Sequence, residues 1–173
     1  MLIRYTAYLQ ILNRFLKKID EKDIKEFADR IWKTRVWLIG NGGSCSLASH
    51  MSEDLCKSAK VKAVAISDSP LITASGNDCG YENSFKTGLD VLAQLGDAVI
   101  GISVSGESKN IIEVFRTEKG LKNLSFVGVK NSTIAKLSDF CISVGSSDYK
   151  LVEDAHLVIA HRIVAEIEWR QSK

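Results

Sequence analysis

The sequence predicts a doubly wound α/β fold, a five-stranded parallel sheet flanked by helices, with extra helices at the N-terminus. Two observations predict it. Short β-rich runs at 36–39, 62–66, 98–102, 124–129 and 140–144 alternate with helical segments, the pattern of a parallel sheet covered on both faces. Two of these runs, Val36-Trp37-Leu38-Ile39 and Ala98-Val99-Ile100-Gly101-Ile102, lead through small residues into helical patterns. The connecting loops are Gly40-Asn41-Gly42-Gly43-Ser44 and Ser103-Val104-Ser105-Gly106-Glu107-Ser108.

Residues 2 to 19 place Leu2, Tyr5, Leu9, Leu12, Phe15, Leu16 and Ile19 mostly three or four apart, which predicts an amphipathic helix. A second helix is expected from about Lys22 to Trp32, after which the β-rich texture begins. Pro70, the single proline, is expected in the turn after the second strand. The last helix, from about Leu151 to Trp169, is apolar over more than one face. A terminal helix of that kind is either sandwiched in the core or shared with another subunit. With the N-terminal helix also needing cover, the reading is a homo-oligomer. At 173 residues one domain is expected, residues 1–33 forming the N-terminal helices and 34–173 the α/β core.

The formal charge of +2 comes without a basic run, which disfavours nucleic acid. No apolar stretch has the length of a membrane span, and the N-terminus lacks a signal-peptide pattern. Cys45, Cys56, Cys79 and Cys141 show no CxxC spacing and read as reduced thiols of a cytoplasmic protein. Cys45, at a helix start, could have a lowered thiol pKa, although a small residue filling a turn is the simpler reading.

A strand that turns through small residues into a helix presents free backbone N–H groups and the positive end of a helix dipole. Serine hydroxyls add donors to such an anion site. The first loop has Cys45 where a dinucleotide fingerprint needs its third glycine, and no GK[ST] follows it. Short serine turns suit a single phosphate monoester. In a sheet of order 2-1-3-4-5 the loops after strands 1 and 3 flank the switch point where ligands bind.

His50 and Asp54 are four apart on the helix leaving the first loop and share a face. A histidine and a carboxylate so spaced can hold a divalent metal or be a surface pair. On the last helix Glu153 and His161 are ~12 Å apart along the axis and roughly 80° apart around it, so they converge only on something between them. His156 is about 140° around from His161, which leaves it to serve a neighbouring subunit, orient another group or lie buried.

The chain resembles the sugar isomerase (SIS) domain family, and within it the phosphoheptose isomerases. The resemblance covers nearly the whole chain and rests on Gly40-Asn41-Gly42-Gly43-Ser44, Ser49-His50 with Asp54-Leu55, Ala65-Ile66-Ser67-Asp68, Gly76-Asn77-Asp78, Gly96-Asp97, Gly101 through Ser108, and Val152-Glu153-Asp154-Ala155-His156 ending at His161. It implies the SIS fold, a tetramer, and an active site around His50, Asp54, Glu153 and His161 that binds zinc in some members. It implies a general base at position 54 and a partner acid or base at His161. The loops, through Asn41, Gly42, Ser44, Ser103, Val104, Ser105 and Ser108, would bind substrate, mainly by its phosphate. Asp68, Asn77 and Asp78, on loops after the second strand, are candidates for sugar hydroxyls or ordinary Asx turns.

Three residues depart from the family pattern, the first being Val104, which stands where many members have a hydroxyl residue. Asp54 stands for a glutamate, withdrawing the carboxylate by one methylene, and Glu153 stands for a glutamine, adding a charge. Either carboxylate could therefore be the base. All four side chains are expected to ligate zinc, two imidazoles and two carboxylates being a suitable set. The implied reaction is the aldose–ketose isomerisation of sedoheptulose 7-phosphate to D-glycero-D-manno-heptose 7-phosphate through an enediol. The alternatives are an isomerase of another sugar phosphate and a non-catalytic SIS module that senses a sugar phosphate or bridges partner proteins.

Overall fold

The computed structural model describes residues 4–117 and 119–173; Leu2, the first apolar position of the expected N-terminal helix, lies outside them. Helices α1 (Tyr5–Leu16) and α2 (Glu21–Ile31) precede β1 (Val36–Gly40) and α3 (Gly43–Lys57). There follow β2 (Ala63–Ala65), α4 (Ser69–Cys79), a 3-10 turn at Tyr81–Asn83, α5 (Lys86–Leu92), β3 (Ala98–Ser103) and α6 (Lys109–Phe115). The chain ends with β4 (Lys122–Val127), α7 (Thr133–Leu137), β5 (Phe140–Ser143) and α8 (Tyr149–Gln171). The five strands are parallel in the order β2-β1-β3-β4-β5.

Side chains alternate across each strand, and the sheet divides the core in two. Val36 and Leu38 of β1, with Ile100 and Ile102 of β3, meet Phe27 of α2, Met51 of α3 and Ile163 of α8 on one face. Trp37, Ile39 and Val99 meet Phe85, Leu89, Ile111 and Phe115 on the other. Gly101 of β3 lets α6 sit close, since a Cβ there would come 2.7 Å from Ile111 Cγ2 and 2.8 Å from Phe115 Cζ. At the N-terminal edge of the sheet Asp97 accepts from Trp37 Nε1 at 2.9 Å and from the Gln94 N–H at 3.0 Å. The Gly96-Asp97 pair is thus structural.

Three expectations change. Pro70 lies within the first turn of α4, capped by Asp68, and Asn77 and Asp78 occupy that helix's last turn rather than a loop. Proline is tolerated there because first-turn N–H groups have no intrahelical acceptor. Most of the apolarity of α8 is accounted for within the chain itself: Val152, Ala155, Ile159, Ile163 and Ile167 are all buried against the sheet and the helices around it, while Val158 and Trp169 stay 44% and 53% exposed. α1 differs, because none of its residues is fully buried. Leu12, Phe15 and Leu16 touch the core while Tyr5 is 76% and Leu9 44% exposed.

Candidate active site

β1 and β3 are adjacent and parallel, so both loops leave the same edge of the sheet, side by side. The first is tight: the Ser44 N–H donates to the Asn41 carbonyl at 3.1 Å, and a Cβ on Gly40 would lie 2.7 Å from the Ser44 backbone. Gly42 takes φ 55°, a left-handed conformation that favours glycine. In the second loop the Ser103 and Ser108 hydroxyls lie 3.0 Å apart, and Ser103 Oγ accepts the Gly106 N–H at 3.1 Å. Ser105 Oγ accepts the Glu107 N–H at 3.2 Å. Val104 turns its side chain into the core and its carbonyl accepts the Gly128 N–H. Glu107 accepts from Thr133 N and Oγ1, and those bonds hold its carboxyl below the usual range.

α3 carries His50 and Asp54 to α8, where His161 meets them. Among the described residues, one group of potential metal ligands lies within 4.8 Å of one another: His50, Asp54 and His161. The two Nε2 atoms are 3.2 Å apart, and Asp54 Oδ2 is 3.4 Å from His50 Nε2 and 3.5 Å from His161 Nε2. Ligand atoms ~2.0–2.1 Å from a tetrahedral ion stand ~3.3 Å from one another. The triangle has the edges of one face of such a tetrahedron, and the imidazoles are about half exposed, at 49% and 50%. Two imidazoles and a carboxylate therefore fit a divalent ion with an open fourth position, the form of a catalytic site.

Glu153 is not among the three. Its Oε1 lies 2.6 Å from where a Cβ on Gly43 would stand, at the N-terminus of the fifteen-residue α3. That end of a helix favours a carboxylate. Glu153 lines a cavity of about 230 Å³ with Gly43, Ser44, His50, His156 and Leu157. His156 is fully buried, its ring centroid 5.8 Å from that of Phe126 and neither nitrogen in good hydrogen-bond geometry with a partner among the described residues. Burial pushes its pKa down to about 4. It lies inside its own subunit, not against a neighbour. Asp68 caps α4, its Oδ1 accepting the Leu71 N–H at 2.9 Å, and Asn77 Nδ2 donates to Asp78 Oδ1 at 2.8 Å. Burial raises the Cys45 thiol pKa rather than lowering it.

No protein-family model matches the chain. It is 32% identical over 165 residues to the phosphoheptose isomerase of Aneurinibacillus thermoaerophilus, with 91% of this chain and 82% of that protein covered. With the phosphoheptose isomerase of Sulfurimonas denitrificans it shares 37% over 139 residues, 76% and 71% of the two chains. The chain belongs to the phosphoheptose isomerase family. The solved phosphoheptose isomerase of Neisseria gonorrhoeae has the same fold, with a TM-score of 0.86 at 24% identity over 96% of this chain and 97% of that one. The architecture is that of SIS domains.

Asn110 and Tyr81, both bonded to Asn41, did not emerge from sequence. A signal existed for Asn110, a polar residue four before Val114 at the register of the buried face of α6. Tyr8, whose hydroxyl donates to Asp154 and ties α1 to α8, gave none.

Proposed function

We propose that this phosphoheptose isomerase family member interconverts sedoheptulose 7-phosphate and D-glycero-D-manno-heptose 7-phosphate. The observation that carries the reading is the His50–Asp54–His161 triangle on the helices next to the two serine loops. A purely sensing module would need no such half-exposed constellation. The phosphate sits on the N–H groups and hydroxyls of Asn41, Gly42, Ser44, Ser103, Ser105 and Ser108, with the N–H of Val104.

Isomerisation moves a proton between C1 and C2 and another between their oxygens. The groups that do so must stand close together, and Asp54 and His161, 3.5 Å apart, satisfy this. Asp54 is the base at carbon through its carboxylate oxygen not facing the imidazoles, and His161, when no ion occupies its Nε2, moves protons at oxygen. Glu153, standing apart on the α3 N-terminus, accepts a sugar hydroxyl, and Asn77 and Asp78 reach others. His50, Asp54 and His161 would hold a zinc ion, which would supply Lewis-acid stabilisation of the developing oxyanion in place of the His161 proton. Supporting zinc is the nitrogen and carboxylate donor set with its tetrahedral edge lengths.

The working form is a homotetramer in the cytoplasm. Supporting assembly is a groove lined by Leu16, Ile19, Ile24, Val158 and Ile159, with the Glu21–Arg162 ion pair beside them, close to the exposed face of α1. No described helix is long and apolar enough to cross a membrane.

The test is a panel of five- to seven-carbon ketose phosphates in D2O, with and without zinc, followed by NMR. Exchange at C1 is expected with sedoheptulose 7-phosphate and faster with zinc. Exchange with a shorter sugar alone would assign another substrate, and none at all would favour a binding module.

A further inference from the structure

Asn110 lies on α6, 1% exposed, directly beneath the first loop. Asn41 Nδ2 donates to Asn110 Oδ1 at 3.0 Å, and Asn110 Nδ2 donates back to Asn41 Oδ1 at 2.9 Å. Asn110 Nδ2 also donates to the buried Ser84 Oγ at 3.2 Å. Tyr81 OH, on the 3-10 turn, donates to Asn41 Oδ1 at 2.8 Å. A primary amide has two N–H donors and two acceptor lone pairs. Both donors of Asn110 are used and Asn41 Oδ1 accepts two bonds, so one N–H of Asn41 has no acceptor among the described residues. The same helix carries Ser108 at its N-cap, and Ser108 is bound to Ser103. One short helix therefore holds the second loop through Ser108 and the first through Asn110.

We propose that Asn110, supported by Tyr81, is a positioning residue: its reciprocal amide pair with Asn41 locks the two serine loops together and aims the remaining Asn41 N–H at the substrate's phosphate. This rests on the loops being the phosphate site. The pairing is between residues 69 positions apart in sequence, and it fixes at low cost what would otherwise be two independent turns. A preformed anion site loses less on binding than one that must be ordered.

The probe is inorganic phosphate, titrated by calorimetry into the purified protein, with KM and kcat for sedoheptulose 7-phosphate measured alongside. Asn110→Ala and the same-sized Asn110→Asp each weaken phosphate about tenfold and raise KM in parallel, with a smaller change in kcat. Tyr81→Phe, which removes one bond at an exposed site, gives a smaller loss in the same direction and serves if the Asn110 variants do not fold. Asn41→Ala/Asn110→Ala binds phosphate no more weakly than Asn41→Ala alone, because the pair acts as a unit. A merely structural residue would lower the melting temperature and active fraction while phosphate affinity and KM stayed at wild-type values. That result in Asn110→Asp or Tyr81→Phe, or losses that multiply in the double variant, would overturn the proposal. Wild-type protein that binds neither phosphate nor sugar phosphate would instead remove the phosphate-site reading beneath it.

Discussion

At the scale of single residues, Gly43 and His156 carry separate consequences. A Cβ at position 43 would strike the end of the Glu153 side chain, which is flexible and can move. Gly43→Ala is therefore expected to fold with little loss of stability and to raise KM, because Glu153 is displaced from the α3 N-terminus; an unchanged KM would separate Glu153 from the sugar. His156 is neutral in the folded protein, its pKa down at about 4 against an ordinary 6.5. The unfolded chain takes up that proton first as pH falls. Its contribution is thus fully present above pH ~6.5, is lost progressively down to pH ~4, and amounts to about 3 kcal/mol over that window. His156→Phe should flatten this part of the pH–stability curve, as read by denaturant titration at pH 7 and pH 4.5. An equal slope in variant and wild type would place the acid sensitivity elsewhere. Such details were illegible in sequence, where His156 could only be put about 140° around the helix from His161 and nothing showed that Phe126 would cover it.

At the scale of elements, the helix-to-sheet contact of α6 decides how the second loop is presented. Gly101→Ala would push Ile111 and Phe115 away from β3, an overpacking that typically costs about 1–3 kcal/mol. Because α6 also holds Ser108 and Asn110, the variant should show a lower melting temperature together with a higher KM; a KM at the wild-type value would mean that the loops do not depend on this packing. The elements themselves were largely readable. Apolar runs marked every strand to within two or three residues, and the strand–small-residue–helix junctions marked both loops. α4 was not resolved as a helix, because Pro70 and the Gly76-Asn77-Asp78 cluster read as turn chemistry, whereas the Asp68 cap and a first-turn proline start a helix. The shared face of His50 and Asp54 follows from four-residue spacing. The arrival of His161 beside them, and the separation of Glu153, depend on how α8 crosses α3, which local sequence does not encode.

At the scale of the whole molecule, α1 lies over α8 through the Tyr8–Asp154 bond and leaves Tyr5, Leu9 and Val158 exposed. Leu9→Asp and Val158→Lys should lower the mass measured by sedimentation without unfolding the chain, whereas charge at the fully buried Ile163 would unfold it. A wild-type protein that sediments as a monomer would contradict the tetramer. In the proposed reaction the α3–α8 triangle, not Glu153, transfers the proton. The most direct measurement is solvent deuterium incorporation at C1 of sedoheptulose 7-phosphate by wild type, Asp54→Asn and Glu153→Gln, each compared at the same measured zinc occupancy and again free of metal. Asp54→Asn is expected to lose exchange by at least about a hundredfold while still binding phosphate, and Glu153→Gln to keep exchange at a higher KM. Loss of exchange in Glu153→Gln with full exchange in Asp54→Asn would contradict that assignment.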